Sequence, residues 1–220
     1  MPENDFGKQV FVSFSGGKDS HLSLFKALQD GFQVKALLTM LSDRGDFTAA
    51  HRLPLSFLRR QAEAMGIPLF FRHTSWEDYE NHFLNMLLQL REQGFTGGVF
   101  GDIDLLPHRE WVERMCAQAG LAPHLPLWGK SRLEVASEII DRGFEAYIVV
   151  VKDQFLPPSF LGRRYDRTLV AELLALGVDV CAEEGEFHTV VVKGPTYRYP
   201  VEYTFGEIRV EDGYHVLTVR

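Results

Sequence analysis

The chain's clearest candidate for phosphate chemistry is residues 12–20, VSFSGGKDS. The residues before the glycines have the apolar, β-branched and aromatic composition of a buried strand, and apolar residues recur at helical spacing after them. Gly16 and Gly17 therefore fall in a strand-to-helix turn. The first amides of a helix have no partner within the helix and attract an anion. We predict that this turn holds the phosphates of a nucleotide.

The polar side chains of the turn suit the same chemistry. Lys18 supplies a positive charge, and Asp19 is expected to hold Mg2+. The turn is shorter than a Walker loop, in which Ser or Thr also follows the lysine. The ATP-binding residues predicted at this turn are Ser13, Ser15, Gly16, Gly17, Lys18, Asp19 and Ser20.

Three further stretches accompany this turn: GDI with the following HREWVERMC and PLW, FLGR at 160–163, and EEGEFHT at 183–189. SGGKDS itself resembles the PP-loop of ATP pyrophosphatases, which cut ATP between its α and β phosphates. Together the four stretches resemble the diphthine-ammonia ligase family of PP-loop ATPases, and they cover nearly the whole chain.

That resemblance implies an ATP-dependent ligase that forms AMP. ATP would activate a carboxylate as an acyl-adenylate with release of pyrophosphate, and ammonia would then displace AMP to leave an amide. The implied acceptor is diphthine on elongation factor 2 or a related carboxylate. The catalytic residues expected from it are Lys18, Asp19, Glu183, Glu186 and His188. Since side chains alternate in an extended segment, we expect Glu186 and His188 to share one face.

Other residues are predicted to complete the site. Asp102, which follows a strand-like run, is expected to hold Mg2+ together with Asp19. Arg109, Arg163 and Thr189 are expected to contact substrate. The further ATP-binding residues predicted are Thr39, Met40, His51, Gly101 and Asp102.

Two positions depart from the pattern usual in the family. Ala182 replaces the first glycine of the late motif, and Trp111 stands where a second arginine is common, two residues after Arg109. Both changes lie outside the phosphate-binding turn. They therefore leave the prediction of ATP use unaffected and bear only on the identity of the acceptor.

The order of elements must bring these residues together. Strand-like runs alternate with helical patterns at 55–65, 79–91 and 108–119, and residues 123–128 are a candidate fifth strand. The alternation predicts an α/β fold, with a parallel Rossmann-like sheet whose ligand lies at the carboxyl ends of the strands. The PP-loop implies the adenine nucleotide alpha hydrolase-like type of this fold.

The pattern changes near Gly129, beyond which helical stretches give way to mainly antiparallel strands. We therefore predict two units: an ATP-binding domain at 1–129 and a smaller α+β domain at 130–220 that contributes substrate-binding and catalytic residues. The two are expected to pack closely, with a cleft between them.

Composition and charge narrow the class of protein. The hydrophobic fraction of 45% is ordinary for a globular chain, and the net charge of -7 disfavours broad nucleic-acid binding. A polar, acidic N-terminus and the lack of a long apolar run predict a cytoplasmic protein with no membrane partner. The exposed edge strands expected in the second unit would allow a homodimer.

Three alternatives remain open from the sequence: a PP-loop enzyme acting on a small-molecule carboxylate, as in corrinoid salvage, a tRNA-thiolating PP-loop enzyme, and a non-catalytic ATP sensor. Cys116 and Cys181 lie too far apart in sequence to form the close pair typical of thiolating enzymes. The complete EGEFHT segment disfavours a sensor, which would need the phosphate-binding turn alone.

Overall fold

A computed structural model of the chain describes residues 7–220. Strands and helices alternate through its first part, and strands predominate towards its end. The elements are β1 (Gln9–Ser13), α1 (Lys18–Gln29), β2 (Gln33–Ser42), α2 (Leu55–Met65), β3 (Leu69–Thr74), α3 (Tyr79–Glu92), β4 (Gly97–Val99), α4 (Leu106–Ala119), β5 (Ala122–His124), α5 (Arg132–Asp141), β6 (Glu145–Lys152), a short 3-10 helix (Pro158–Phe160), α6 (Arg167–Ala175), β7 (Phe187–Lys193), β8 (Phe205–Glu211) and β9 (Tyr214–Val219).

The first sheet has five parallel strands in the order β3-β2-β1-β4-β5. The chain runs outward from β1 to β3 on one side and then crosses to β4 on the other. Ligands of open α/β sheets bind at such a reversal, outside the carboxyl ends of the strands. The SGGKDS turn follows β1 at this point.

Helices cover both faces of the first sheet because its strands are apolar on both faces. Val10 and Val12 pack in one buried cluster with Leu58 of α2, whereas Phe11 packs in another with Met115 of α4. This division follows the alternation of side chains along a strand. The parallel α/β fold predicted from the sequence is confirmed.

The second sheet is antiparallel in the order β7-β6-β9-β8. The hairpin between β8 and β9 turns at Asp212 and Gly213, whose φ angles of 51° and 81° suit a two-residue primed turn. Val150 and Val190 of this sheet lie in the same buried cluster as Val12 of β1, so the two sheets share a core. The domain boundary near residue 129 stays a prediction.

Two elements differ from their predicted bounds. The fifth strand is Ala122–His124, and the residues after it turn, with the Trp128 N–H donating to the Leu125 carbonyl at 3.1 Å. Pro126 within that stretch disfavours a continued strand. α4 begins at Leu106, before the predicted start, because Pro107 is well suited to the first turn of a helix.

No helix within residues 7–220 combines the length and the apolar content that are needed to span a membrane.

Candidate active site

A cavity of about 910 Å3 lies at the carboxyl edge of the first sheet. Its walls come from the ends of β1, β2 and β4, the first turns of α1, α3 and α4, and the segment that leads into β7. The predicted site residues that line it are Ser13, Ser15, Asp19, Ser20, Thr39, Met40, His51, Gly101, Asp102, Glu183 and His188. Residues far apart in the sequence thus meet in one cavity.

The two glycines of the SGGKDS turn are required by close packing beneath the cavity. Gly16 has a φ of 82°, and a Cβ there would lie 2.7 Å from Gln61 Oε1. A Cβ on Gly17 would lie 2.3 Å from His51 Cε1. Neither glycine lines the cavity; they set the path of the turn, and the neighbouring Ser15 faces the open space.

Side chains from other elements hold the turn in place. Gln61 Nε2 donates to the Gly16 carbonyl at 3.0 Å and to the Val191 carbonyl at 2.7 Å. His21 Nδ1 donates to the Gly17 carbonyl at 2.9 Å, so its Nε2 accepts from the Tyr197 hydroxyl at 2.6 Å. Burial lowers the pKa of His21 to about 4, which keeps the ring neutral. Sequence reasoning missed these supports because their partners lie far along the chain.

Lys18 is buried and lies outside the lining of the cavity. Its Nζ donates to Asp19 Oδ2 at 2.8 Å and to the Cys181 carbonyl at 2.6 Å, and the side chain does not line the cavity. Burial disfavours its charged form, but nearby charges, Asp19 first among them, outweigh burial and raise the pKa of Lys18. The ammonium therefore links the turn to the segment before Glu183.

The carboxylates present fit a magnesium ion that arrives with a nucleotide. Asp19 and Asp102 line the cavity, and Asp19 Oδ1 is buried without a hydrogen-bond partner. Within residues 7–220, no group of three or more His, Cys, Asp or Glu side chains could hold a metal ion by itself. Mg2+ at nucleotide sites commonly needs only one or two carboxylates, with phosphates and water completing its shell.

Glu183, on the cavity wall, has a pKa above the usual range of a carboxylate. Burial, followed by the negative charge of Asp19, raises the pKa of Glu183 to about 7, although Lys18 acts in the opposite direction. Its backbone N–H donates to Asp179 Oδ2 at 2.7 Å, which fixes the segment. A carboxylate with this pKa exchanges a proton readily at neutral pH.

Ala182, the position where the family pattern has glycine, adopts a φ of 58°. This left-handed conformation is costly for a residue with a Cβ and is the reason that glycine suits the position. Ala182 keeps the conformation nonetheless and lies on the cavity wall beside Glu183. The departure from the family pattern therefore leaves the backbone path intact.

Two neutral histidines face each other on the cavity wall. The ring centroids of His51 and His188 are 4.7 Å apart. His51 Nδ1 donates to the Thr189 carbonyl at 2.8 Å, which leaves Nε2 with a free lone pair. Burial lowers the pKa of His51 to about 4, and burial followed by the neighbouring His51 lowers the pKa of His188 well below its usual value. Both rings can therefore accept hydrogen bonds at neutral pH.

Glu186 and Thr189 lie away from the cavity lining, and their predicted roles stay predictions. Glu186 directly precedes β7, and its carbonyl accepts from the Lys152 N–H at 2.9 Å. The Glu186 carboxylate accepts from the Glu184 N–H at 3.2 Å and is buried. The Thr189 hydroxyl accepts from the Lys18 N–H at 3.1 Å, and Thr189 thus ties β7 to the start of α1.

The two arginines expected to contact substrate are paired elsewhere. Arg109 Nε donates to Glu113 Oε1 at 2.6 Å, one helical turn away. Arg163 Nη2 donates to Glu172 Oε2 of α6 at 2.5 Å. Neither side chain lines the cavity. Both predictions missed these ion pairs because the sequence does not show which partner a long side chain takes.

An aromatic wall, formed by Trp76, Tyr79 and Trp111, lines the cavity at the start of α3 and α4. The Tyr79 ring centroid lies 5.7 Å from that of Trp76 and 5.9 Å from that of Trp111. Trp111 Nε1 donates to Glu80 Oε2 at 3.1 Å. Sequence analysis missed this wall, although the departure at Trp111 was the one available signal.

The fold and the cavity define a PP-loop nucleotide-binding protein of the α/β class. The chain belongs to the diphthamide synthase family: the N-terminal domain of diphthamide synthase matches residues 8–123, and its C-terminal domain matches residues 131–218. The family expected from the sequence motifs is confirmed.

Relatives in two vertebrates carry the name diphthine--ammonia ligase. The human protein is 27% identical over 225 residues, covering 91% of this chain and 84% of its own length. The zebrafish (Danio rerio) protein is 28% identical over 214 residues, covering 86% of this chain and 84% of its own.

A solved structure from Methanocaldococcus jannaschii, described as a predicted subunit of tRNA methyltransferase, is 17% identical with a TM-score of 0.48. It covers 85% of this chain and 98% of its own.

Proposed function

We propose that this chain is an ATP-dependent ligase that adenylates a carboxylate and amidates it with ammonia, releasing AMP and pyrophosphate. Family membership and the names of the relatives support this reaction. The observation that carries it is that the SGGKDS turn and the motif before β7 line one cavity. ATP bound at the turn would therefore neighbour the groups suited to handle ammonia.

In the first step a carboxylate oxygen of the acceptor attacks the α phosphorus, and pyrophosphate leaves with the bonding electrons. The N-terminus of α1 and the hydroxyls of Ser15 and Ser20 would bind the phosphates of the leaving group. Asp19 and Asp102 would hold Mg2+, which when bound neutralises charge on the phosphates. The chain's main contribution to this step is positioning.

In the second step the nitrogen of ammonia attacks the acyl carbon, and AMP leaves. Most ammonia is ammonium at neutral pH, so one proton is lost to give the nucleophile and a second is lost as the amide forms. Glu183, with its pKa near neutrality, is the group we assign to accept a proton. The neutral rings of His51 and His188 would accept hydrogen bonds from the nitrogen and orient it.

The acceptor we propose is diphthine on elongation factor 2, following the name of the relatives. We place its entrance at the aromatic wall, because the Trp76 side chain there is 86% exposed and borders the cavity. Ammonia is the second substrate, and no role for nucleic acid or a membrane is proposed. A small-molecule acceptor, a thiolation reaction and a sensor are not favoured by the relatives.

The structure supplies a further argument against thiolation. Cys116 and Cys181 are both buried, and no cysteine of the described chain lines the cavity. Burial raises the pKa of both thiols, which leaves them poor nucleophiles.

Product analysis tests the proposal. The purified chain would be given Mg-ATP, ammonium and elongation factor 2 bearing diphthine, with AMP and pyrophosphate resolved from ADP and phosphate. We expect AMP equal in amount to the amide formed, and loss of both in Asp19→Ala. Formation of ADP, or ATP binding without turnover in the presence of acceptor, would refute the ligase.

A further inference from the structure

β8 forms an open edge of the second sheet. It is last in the strand order, and no other strand of residues 7–220 pairs with its outer side. Ile208 and Val210 on it are 51% and 66% exposed. An open edge that carries apolar side chains is suited to pairing with another chain. No residue of β8 lines the cavity, so this edge is a separate surface.

The backbone groups that face outward follow from the hairpin. Glu211 and Tyr214 flank its two-residue turn and form a hydrogen-bonded pair. Hydrogen-bonded and non-hydrogen-bonded pairs alternate along an antiparallel ladder, so every second residue of β8, counted from Glu211, directs its N–H and C=O towards β9. The Glu207 carbonyl accordingly faces β9, where it accepts from the Thr218 hydroxyl at 3.1 Å. By the same alternation, the N–H and C=O groups of Ile208 and Val210 point to the open edge.

We propose that β8 pairs antiparallel with β8 of a second copy of this chain, about a two-fold axis at Ile208. In this register the outward N–H and C=O of Ile208 bond with the same groups of the other copy. Glu207 of each copy then lies opposite Arg209 of the other. The strand is thus complementary to itself in charge.

The two faces of β8 support this register separately. Ile208 and Val210 lie on the face of their β9 partners Leu217 and His215, and Ile208 there lies opposite Ile208 of the second copy. Glu207 and Arg209 occupy the other face and are paired within the strand at 2.6 Å, with both side chains more than half exposed. In the dimer each guanidinium lies between two carboxylates, which stabilises opposed strands.

The interface is small. The ladder with β9 shifts register between Phe205 and Ile208, and such a bulge limits the intermolecular pairing to the few residues around Ile208. We therefore expect a dimer that dissociates on dilution. Because the cavity lies elsewhere, this association is independent of the proposed ligase activity.

Sedimentation velocity of the full-length chain over a series of concentrations tests the proposal. We expect the wild type to shift from monomer to dimer with rising concentration. Arg209→Glu places like charges opposite each other and should weaken association at least tenfold. The double variant Glu207→Arg with Arg209→Glu restores the opposed pairs and should recover the wild-type midpoint.

Circular dichroism would establish that each variant is folded, as expected for changes at exposed side chains. A wild type that stays monomeric at every concentration would overturn the proposal. A dimer that is unaffected by Arg209→Glu would also overturn it, because association would then use another surface. Failure of the double variant to recover what the single variant loses would refute the register.

Discussion

Glu183 is the residue whose protonation state matters most for the proposed amidation. Its folded pKa of about 7 lies above the usual value, so its basic form increases as pH rises through 7. The kcat/KM for free ammonia should rise over the same range, since this parameter reports groups of the enzyme form that ammonia encounters. Glu183→Gln should abolish that rise and lower amide formation by about 100-fold or more.

Glu186→Gln is the matched control, because Glu186 belongs to the same motif but does not line the cavity. We expect it to lower the rate less than Glu183→Gln and to keep the rise in rate through pH 7. Rates would be followed as amide formed at fixed free ammonia. An unchanged pH profile in Glu183→Gln would assign the proton transfer to another group.

Ala182 tests the backbone path beside Glu183. A glycine there relieves the left-handed backbone strain, which stabilises the folded state by about 1–2 kcal/mol. Two effects destabilise it: the unfolded chain gains conformational freedom, and the folded chain loses a methyl group. The gain and the losses nearly cancel. Ala182→Gly should therefore change the free energy of unfolding by less than about 1 kcal/mol. Ala136→Gly, in the buried face of α5, should cost about 2 kcal/mol. Equal losses in urea denaturation would contradict the strained turn.

At the scale of elements, the hydrogen bond between β7 and the start of α1 positions the site. Thr189 accepts from the buried Lys18 N–H through its hydroxyl and from His51 through its carbonyl. Thr189→Val leaves the Lys18 N–H without an acceptor, which should cost about 1–3 kcal/mol of stability. Thr189→Ser keeps the hydroxyl and should lose less.

Urea denaturation and the KM values of both substrates distinguish a structural tie from substrate contact at Thr189. We expect the KM for ATP to rise in Thr189→Val and to stay near the wild-type value in Thr189→Ser. Equal stability of the two variants, with only the KM for the acceptor raised, would instead indicate a substrate contact.

The sequence predicted those elements whose signals are local. The SGGKDS turn was located from a strand pattern before it and a helical pattern after it, and the parallel sheet from the alternation of such patterns. Which glutamate of the late motif lines the cavity, Glu183 or Glu186, depends on how the segment before β7 packs. The hydrogen bonds of Thr189 and Lys18 could not be predicted either, because their partners become neighbours only when the second sheet packs against α1.

For the whole molecule, the cavity depends on three packing events that no local pattern encodes. β7 must lie against the SGGKDS turn, α3 must lie against α4 to form the aromatic wall, and the turn after β4 must approach α1. The last contact is close, since a Cβ on Gly101 would lie 3.3 Å from the Asp19 carbonyl carbon. The motif could therefore indicate ATP chemistry, but the shape of the acceptor side could be seen only in the folded chain.

Exchange of labelled pyrophosphate into ATP is the measurement that tests adenylation most directly. It would be performed with Mg-ATP and diphthine-bearing elongation factor 2, in the absence of ammonia. The proposed reaction forms a reversible acyl-adenylate, so label should enter ATP only when acceptor is present and not with Asp19→Ala. Absence of exchange from a sample that forms amide once ammonia is added, or that yields ADP, would contradict cleavage at the α phosphate through an adenylate.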